Sequence, residues 1–451
     1  MGSTMKEEQM KEKNAGKGSN RNEAGVTRRE FLKKSAVVAG GTMVGTGIFG
    51  NGPYVFTPAY AATEIRTIGI PVSIIPDIQK KATKELKMKV IGQAMSSEAM
   101  VQKQRTQPGE YEISEGYFYD LDIVWQGYQP IDTKRINDWD KLNPLVTEGY
   151  LDPRSDKIRA DGIMGDGDAP RRIFYVDNNG EITQKKTRYV TMVPGWHNAD
   201  SLGYNADEID APVTSWGELF NPKYKGRTAI IDVANIGTQD TALAMQALGL
   251  AKFKNMGNMT RREIDTLIDF LIEKKREGHF RAFWGTFPQS VQLMTSGEVV
   301  IESMWSPAVT VSRVKGINCV YADMAKEGYR GWHGGFGISK EAKGKTLDAC
   351  YDYINWWISG WAGAYVGRQG YYMHWAEKAK KYLTAAEWDY WYEGKPARTQ
   401  IVAPDGTPIA ERGEVRDGGS YVKRMGNIYS WNSFPDEIDY MVKRWNELKA
   451  A

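Results

Sequence analysis

The chain has 451 residues, with 59 basic and 56 acidic side chains, 41% hydrophobic residues and two cysteines. That length exceeds one ordinary hydrophobic core and points to two lobes. The near balance of charge provides no basic surface for a nucleic acid, and two cysteines cannot staple a disulfide-built scaffold.

The first sixty residues read as an address. Thr27-Arg28-Arg29-Glu30-Phe31-Leu32-Lys33 fits the twin-arginine (Tat) export pattern, an apolar Gly-rich stretch follows from Ala36 to Gly50, and Ala59 and Ala61 supply an Ala-x-Ala cleavage signal. The stretch is shorter than the roughly 18–20 apolar residues that span a bilayer. Residues 1–61 are therefore expected to be a signal peptide met by the Tat translocase. They hold nine basic and five acidic residues, which leaves 50 basic against 51 acidic in the remainder. With no cysteine near the cut and no later long apolar segment, the mature chain is expected free in the periplasm. Cys319 falls in a strand-like run and Cys350 in a helical one, so two buried free thiols are expected.

Apolar strands then alternate with amphipathic helices. Ile65–Ile70 reads as a strand, Ile78–Leu86 as a helix, Met88–Ile91 as a strand, Ser97–Gln107 as a helix and Leu121–Trp125 as a third strand. This rhythm predicts a largely parallel sheet flanked by helices. The Gly- and Asp-rich stretch 152–180 reads as a surface excursion. Farther on, Ser215-Trp216-Gly217-Glu218, Thr260-Arg261-Arg262-Glu263 and Thr384-Ala385-Ala386-Glu387 each fit a helix capping box. Strands are expected at Thr228–Asp232, Val299–Trp305 and Ile317–Ala322, and helices at Thr238–Leu248, Leu347–Ser359, Trp361–Arg368 and Pro435–Leu448.

Four blocks carry a resemblance. Gly203-Tyr204-Asn205 leads into Thr214-Ser215-Trp216-Gly217-Glu218-Leu219-Phe220 and Pro222-Lys223-Tyr224-Lys225-Gly226-Arg227. Ser296-Gly297-Glu298-Val299 leads into Met304-Trp305-Ser306-Pro307. Lys326-Glu327-Gly328 precedes Trp332, and Gly370-Tyr371 closes the series. Their order and spacing over residues 190–375 resemble the polyamine-binding (spermidine/putrescine) branch of the type 2 periplasmic solute-binding proteins of ABC importers. The resemblance implies an α/β fold of two lobes joined by hinge strands, with residues 62–192 and about 334–375 in lobe 1, and 193–333 and about 376–451 in lobe 2. It implies a monomer that captures a small polar or cationic solute by hinge closure and delivers it to an inner-membrane ABC permease.

Carried over position by position, the resemblance implies cleft aromatics at Trp305, Trp332, Tyr371 and Tyr128, polar contacts from Gln126 and His333, and a carboxylate from Asp232, with Trp305 and Trp332 facing each other across the ligand. Where the polyamine branch places an aspartate two residues after its cleft tryptophan, this chain has Gly334, and nearby Arg330 leaves room for an organic anion. An exported enzyme is the rival class. Histidines 197, 279, 333 and 374 form no metal-ligand pair on one helix, and the chain lacks a nucleophile elbow, a phosphate loop and a dinucleotide fingerprint, so no catalytic residue, metal or cofactor is expected. Asp120 and Asp122 read as a solvated acidic pair. The adjacent tyrosines Tyr371-Tyr372 are the one hint of a ferric receptor of the same fold. Replacing Arg28 and Arg29 together by lysine should leave an unprocessed precursor in the cytoplasm, because the pair is a receptor-read signal; normal periplasmic accumulation in cell fractionation would refute the export reading.

Overall fold

The computed structural model describes residues 63–323 and 327–451; the signal-peptide expectation lies outside them. The strands used below are β1 (Glu64–Gly69), β2 (Lys89–Ala94), β3 (Ile113–Tyr117), β4 (Val193–Asn205), β5 (Thr228–Ile231), β6 (Phe280–Trp284), β7 (Ile301–Met304), β8 (Cys319–Tyr321), β9 (Tyr329–Ile338), β10 (Tyr372–Met373) and β11 (Ile428–Trp431). One sheet runs in the order β6-β5-β7-β4-β9-β3-β1-β2, with β8 and β10 also on β4 and β11 on β9.

The outer thirds of this sheet are parallel α/β units. β1 pairs in parallel with β2 and β3, and β5 with β6 and β7. Helix α1 (Pro76–Leu86) and helix α2 (Ser97–Thr106) cross over between β1, β2 and β3; α3 (Ala234–Ala247) and α4 (Arg261–Arg276) do so between β5 and β6. α4 shows why the sequence makes a helix there. Thr260 and Glu263 form a complete capping box, and Ile264, Leu267, Ile268 and Leu271 bury one face at helical spacing. The Thr384–Glu387 box also forms. Ser215 instead begins a 3-10 turn, Trp216–Phe220, accepting from Gly217 N and donating to Glu327 Oε1 at 2.8 Å.

The middle of the sheet joins the two lobes. β4 pairs antiparallel with β9 from Val193 to Asp200, then with β7 from Ser201 to Tyr204. β9 pairs with β3 through Gly334–Ile338 and with β11 through Tyr329–Gly331. Core membership switches along both strands: Trp196 and Trp332 belong to the first core, Ala199 and Tyr329 to the second. Ile163, Met164 and Ala169, inside the polar excursion, also pack in the second core.

The third strand lies at Ile113–Tyr117 rather than Leu121–Trp125, where Leu121–Val124 forms a helical turn. Ser114 and Glu115 on β3 are fully buried, which hides the strand from an apolar reading. Tyr353 compensates by donating to Glu115 Oε1 at 2.7 Å, and burial still pushes that carboxyl up to about 7. Cys319 and Cys350 are both buried and free.

Three of the four histidines meet where β4 and β9 cross. His197 and His333 are register partners, and His374 stacks on His197 at 4.0 Å. His333 in turn stacks on Phe118 at 4.0 Å. Neither ring nitrogen of His374 has a hydrogen-bond partner among the described residues. Burial holds His197 down at about 3 and the other two well below the usual 6.5. Stability from such rings is full above that ordinary value and is lost as pH falls through it. Buried Glu115 works with the opposite sign, so the test is a comparison. His374→Phe should lose less melting temperature than the parent between about pH 7 and about pH 5, a difference of up to about 2 kcal/mol. Identical pH slopes in thermal denaturation would contradict this.

Candidate functional site

The strand β3 leaves the sheet as Tyr117-Phe118-Tyr119-Asp120. Tyr117 ends the strand and Phe118–Asp120 forms a 3-10 turn, which places Phe118 on His333 and the two tyrosines on the other side. There Tyr117 stacks on Tyr119 at 5.1 Å and meets Trp332 edge-on at 5.6 Å. Trp332 meets Tyr371 edge-on at 5.8 Å, and Tyr119 lies 5.6 Å from Phe434. The rings form a row, Tyr371–Trp332–Tyr117–Tyr119–Phe434, that begins on the hinge and ends between the lobes. Tyr119 is 7% exposed yet belongs to neither hydrophobic core, as expected of a ring at a lobe-lobe boundary.

Two buried carboxylates flank the row. Asp200, on β4, is pushed up to about 6 by burial, against which Arg330 works; burial and then Asp200 raise the Tyr371 hydroxyl. Asp120, beside Tyr119, is 1% exposed, and neither oxygen meets a donor at hydrogen-bonding geometry among the described residues. Burial first, then Glu98, pushes it well above the carboxylate range, partly countered by the neighbouring Ser97 hydroxyl. The acidic pair read as solvated is thus corrected at Asp120: the turn after β3 folds the residue inward.

The other expected residues are placed as follows. Trp332 and Tyr371 come together. Trp305 is half-buried at the start of the helix Ser306–Val314 and packs edge-on against Trp284 at 5.0 Å and along Phe287 at 6.3 Å. Its rings are those of the second lobe, and the facing of Trp305 on Trp332 is not formed in this conformation. Tyr128 is a core residue, accepting from Gln104 Nε2 at 2.7 Å and lying over Gly337. Gln126 is exposed on the 3-10 turn Trp125–Gly127. His333 is on the opposite face from Trp332, among Phe118, His374 and Trp431. Asp232 accepts from Trp445 Nε1 at 2.7 Å and pairs with Lys449 at 3.3 Å, both from helix Ile438–Ala450.

Three further expectations are decided by geometry. A Cβ at Gly334 would come within 2.6 Å of Trp196 Nε1 and 2.8 Å of Gly116 O, so an acid there would face packed strands. Arg330 cannot serve an anion, because it is fully buried and committed: Nε donates to Asp240 Oδ1 at 2.7 Å, Nη1 to Asn432 Oδ1 at 2.8 Å, and Asp200 lies at 3.4 Å. Tyr372 turns away from Tyr371 into the second core, against Tyr392 and Tyr421, so the adjacent pair does not converge on one metal. No group of three or more His, Cys, Asp or Glu fit to hold a metal ion occurs among the described residues.

Residues 77–392 match the family described as bacterial extracellular solute-binding proteins. The chain belongs to that family. The spermidine/putrescine-binding periplasmic protein of Escherichia coli (strain K12) is 26% identical over 278 residues, 60% of this chain and 66% of that one. The match thus spans just under two thirds of the curated relative. The same name and figures describe a Salmonella typhimurium relative. Among solved structures, the spermidine/putrescine ABC transporter substrate-binding protein of Streptococcus pneumoniae aligns with a TM-score of 0.57 at 16% identity, covering 86% of this chain and 99% of that one. A Treponema pallidum lipoprotein gives 0.57 at 12%, covering 86% and 98%. These likenesses establish the two-lobed fold of this solute-binding protein.

Tyr117, Tyr119, Asp120, Asp200 and Phe434 were not singled out as site residues by the sequence reading. A Tyr-x-Tyr-Asp running from a strand end into a turn is the local signal that could have found the first three. A buried carboxylate with no cation beside it costs stability that its neutral isostere does not. Its raised value means the cost appears as pH rises above the ordinary aspartate range. Asp120→Asn should therefore raise the melting temperature at about pH 8, equivalent to about 1–3 kcal/mol, and gain little at about pH 4. A lower melting temperature at the higher pH would mean that Asp120 is satisfied in solution.

Proposed function

We propose that the chain is the substrate-binding component of an ABC importer and captures a small organic cation of the polyamine type between its lobes. The observation that carries the reading is the aromatic row with Asp200 near one end and Asp120 near the other. Ring faces attract an ammonium group by about 0.5–2 kcal/mol each, depending on desolvation, and offer a methylene chain flat apolar contact. A buried carboxylate with no cation beside it, as at Asp120, gains most from a cation that arrives with the ligand. The names of the relatives agree with this chemistry, and the commitment of Arg330 disfavours an anion.

On this reading the lobes are residues 62–192 with about 334–375, and 193–333 with about 376–451, while residues 158–169 rest on the second. The hinge is the β4–β9 pair. Closure requires ligand contacts from both lobes, since a ligand shifts an equilibrium only by its differential affinity. The protein works as a periplasmic monomer, exported through its Tat signal and docking on an inner-membrane permease, and it performs no chemistry on the solute.

A thermal-shift and calorimetric panel of diamines, spermidine, amino acids and organic anions tests the proposal. Amines should raise the melting temperature by mass action. Trp332→Ala should weaken the best amine by about 30- to 1000-fold, or about 2–4 kcal/mol. Binding of anions alone, or an amine affinity untouched by Trp332→Ala, would overturn it.

A further inference from the structure

The C-terminal segment after β11 ends the aromatic row, and on the solute-binding reading above it has a task of its own. We infer that Phe434 is the end wall of the cleft: a specificity-determining ring that fixes how long a ligand the row of Tyr371, Trp332, Tyr117 and Tyr119 accommodates.

The segment is held in place on both sides of Phe434. Asn432 N donates to Gly331 O at 2.9 Å, and the Asn432 side chain accepts from Arg330. Ser433 Oγ donates to Gly257 O at 2.7 Å, and Ser433 O accepts from Asn235 Nδ2 at 2.8 Å. Asn258 and Asp436 exchange two hydrogen bonds of 3.0 Å, one through Asp436 N and one through its carboxylate. Asn432 and Ser433 are buried, and Phe434 packs against the second core. Its ring is therefore placed by a short connection between β11 and helix Ile438–Ala450 that is hydrogen-bonded on both sides of it. Tyr119, the ring it meets, comes from the first lobe.

The Phe434–Tyr119 contact is consequently made between lobes and in line with the row. A ring there closes the far end beside Asp120. Its removal would leave room for further methylene groups without disturbing the rings nearer the hinge. A wall of this kind discriminates ligands by length and leaves the attraction for the cation unchanged.

Two measurements on the full mature chain decide the matter. In the first, Tyr119→Cys and Phe434→Cys are combined and treated with a short bifunctional thiol reagent; Cys319 and Cys350 are buried, and each single variant serves as control. An intramolecular cross-link in the double variant alone is expected, and its absence overturns the inference whatever the ligand. In the second, affinities for α,ω-diaminoalkanes from propane to hexane are compared with that for spermidine. Phe434→Ala should shift the ratio of long- to short-chain affinity by about fivefold or more toward the long probes, and Phe434→Tyr should keep the parental ratio. A ratio within about twofold of the parent's for Phe434→Ala would overturn the wall even with the cross-link formed. If the parent binds none of these probes, the cation reading falls. The cross-link then decides alone whether Phe434 stands across the cleft.

Discussion

The fold turns on one buried cation. Arg330 sits on β9 where the two lobes join, binds Asp240 on α3 and Asn432 beyond β11, and has Asp200 of β4 at 3.4 Å. It ties both crossing strands, a second-lobe helix and the C-terminal segment to one point. Desolvating a guanidinium and two carboxylates is unfavourable by itself, and good geometry only offsets it. The network contributes position more than stability. Removing the arginine would strand two buried carboxylates at a loss of about 3–5 kcal/mol.

The same point fixes the cleft. Trp332 lies two residues from Arg330 on β9, and the alternation of the strand sets both on one face, with His333 on the other. Asp200 is drawn toward Arg330 and so stands beside Tyr371 and Tyr117. The hinge histidines fill the opposite face with stacked rings that burial holds toward the neutral form. Asn432, the last partner of Arg330, is two residues from Phe434, so the end of the aromatic row is referenced to the same ion.

Much of this was legible from the chain. The alternating strands and helices of both lobes and the Thr260 and Thr384 caps were visible as local patterns, while Trp332 and Tyr371 were singled out only through the resemblance of the family blocks, which paired Trp332 with Trp305 instead. The hinge was less so. β4 carries His197, Asn198, Asp200 and Ser201, all buried, and a polar run of this kind looks like loop until partners from over a hundred residues away are known. β3 was missed for the same reason at Ser114 and Glu115. Asp232 ends its strand where a binding carboxylate is expected, but Trp445 and Lys449 claim it, and nothing near residue 232 announces them. Gly334 marks the converse case: an acid is absent because Trp196 leaves no room for one.

The pairing of β11 with β9 bears on how the chain acquires its shape. β9 is built from strands far apart in the chain: β3 and β4 precede it by about 210 and about 120 positions, and its second-lobe end is completed by a strand about ninety positions later. Contacts so distant in sequence form late and slow the search for the native state. Until residues 428–434 dock, Arg330 lacks Asn432, Trp431 does not yet donate to Met164 O, and Tyr119 lacks its contact with Phe434. On the proposed reading of Phe434, discrimination among ligands is complete only once this last strand has docked.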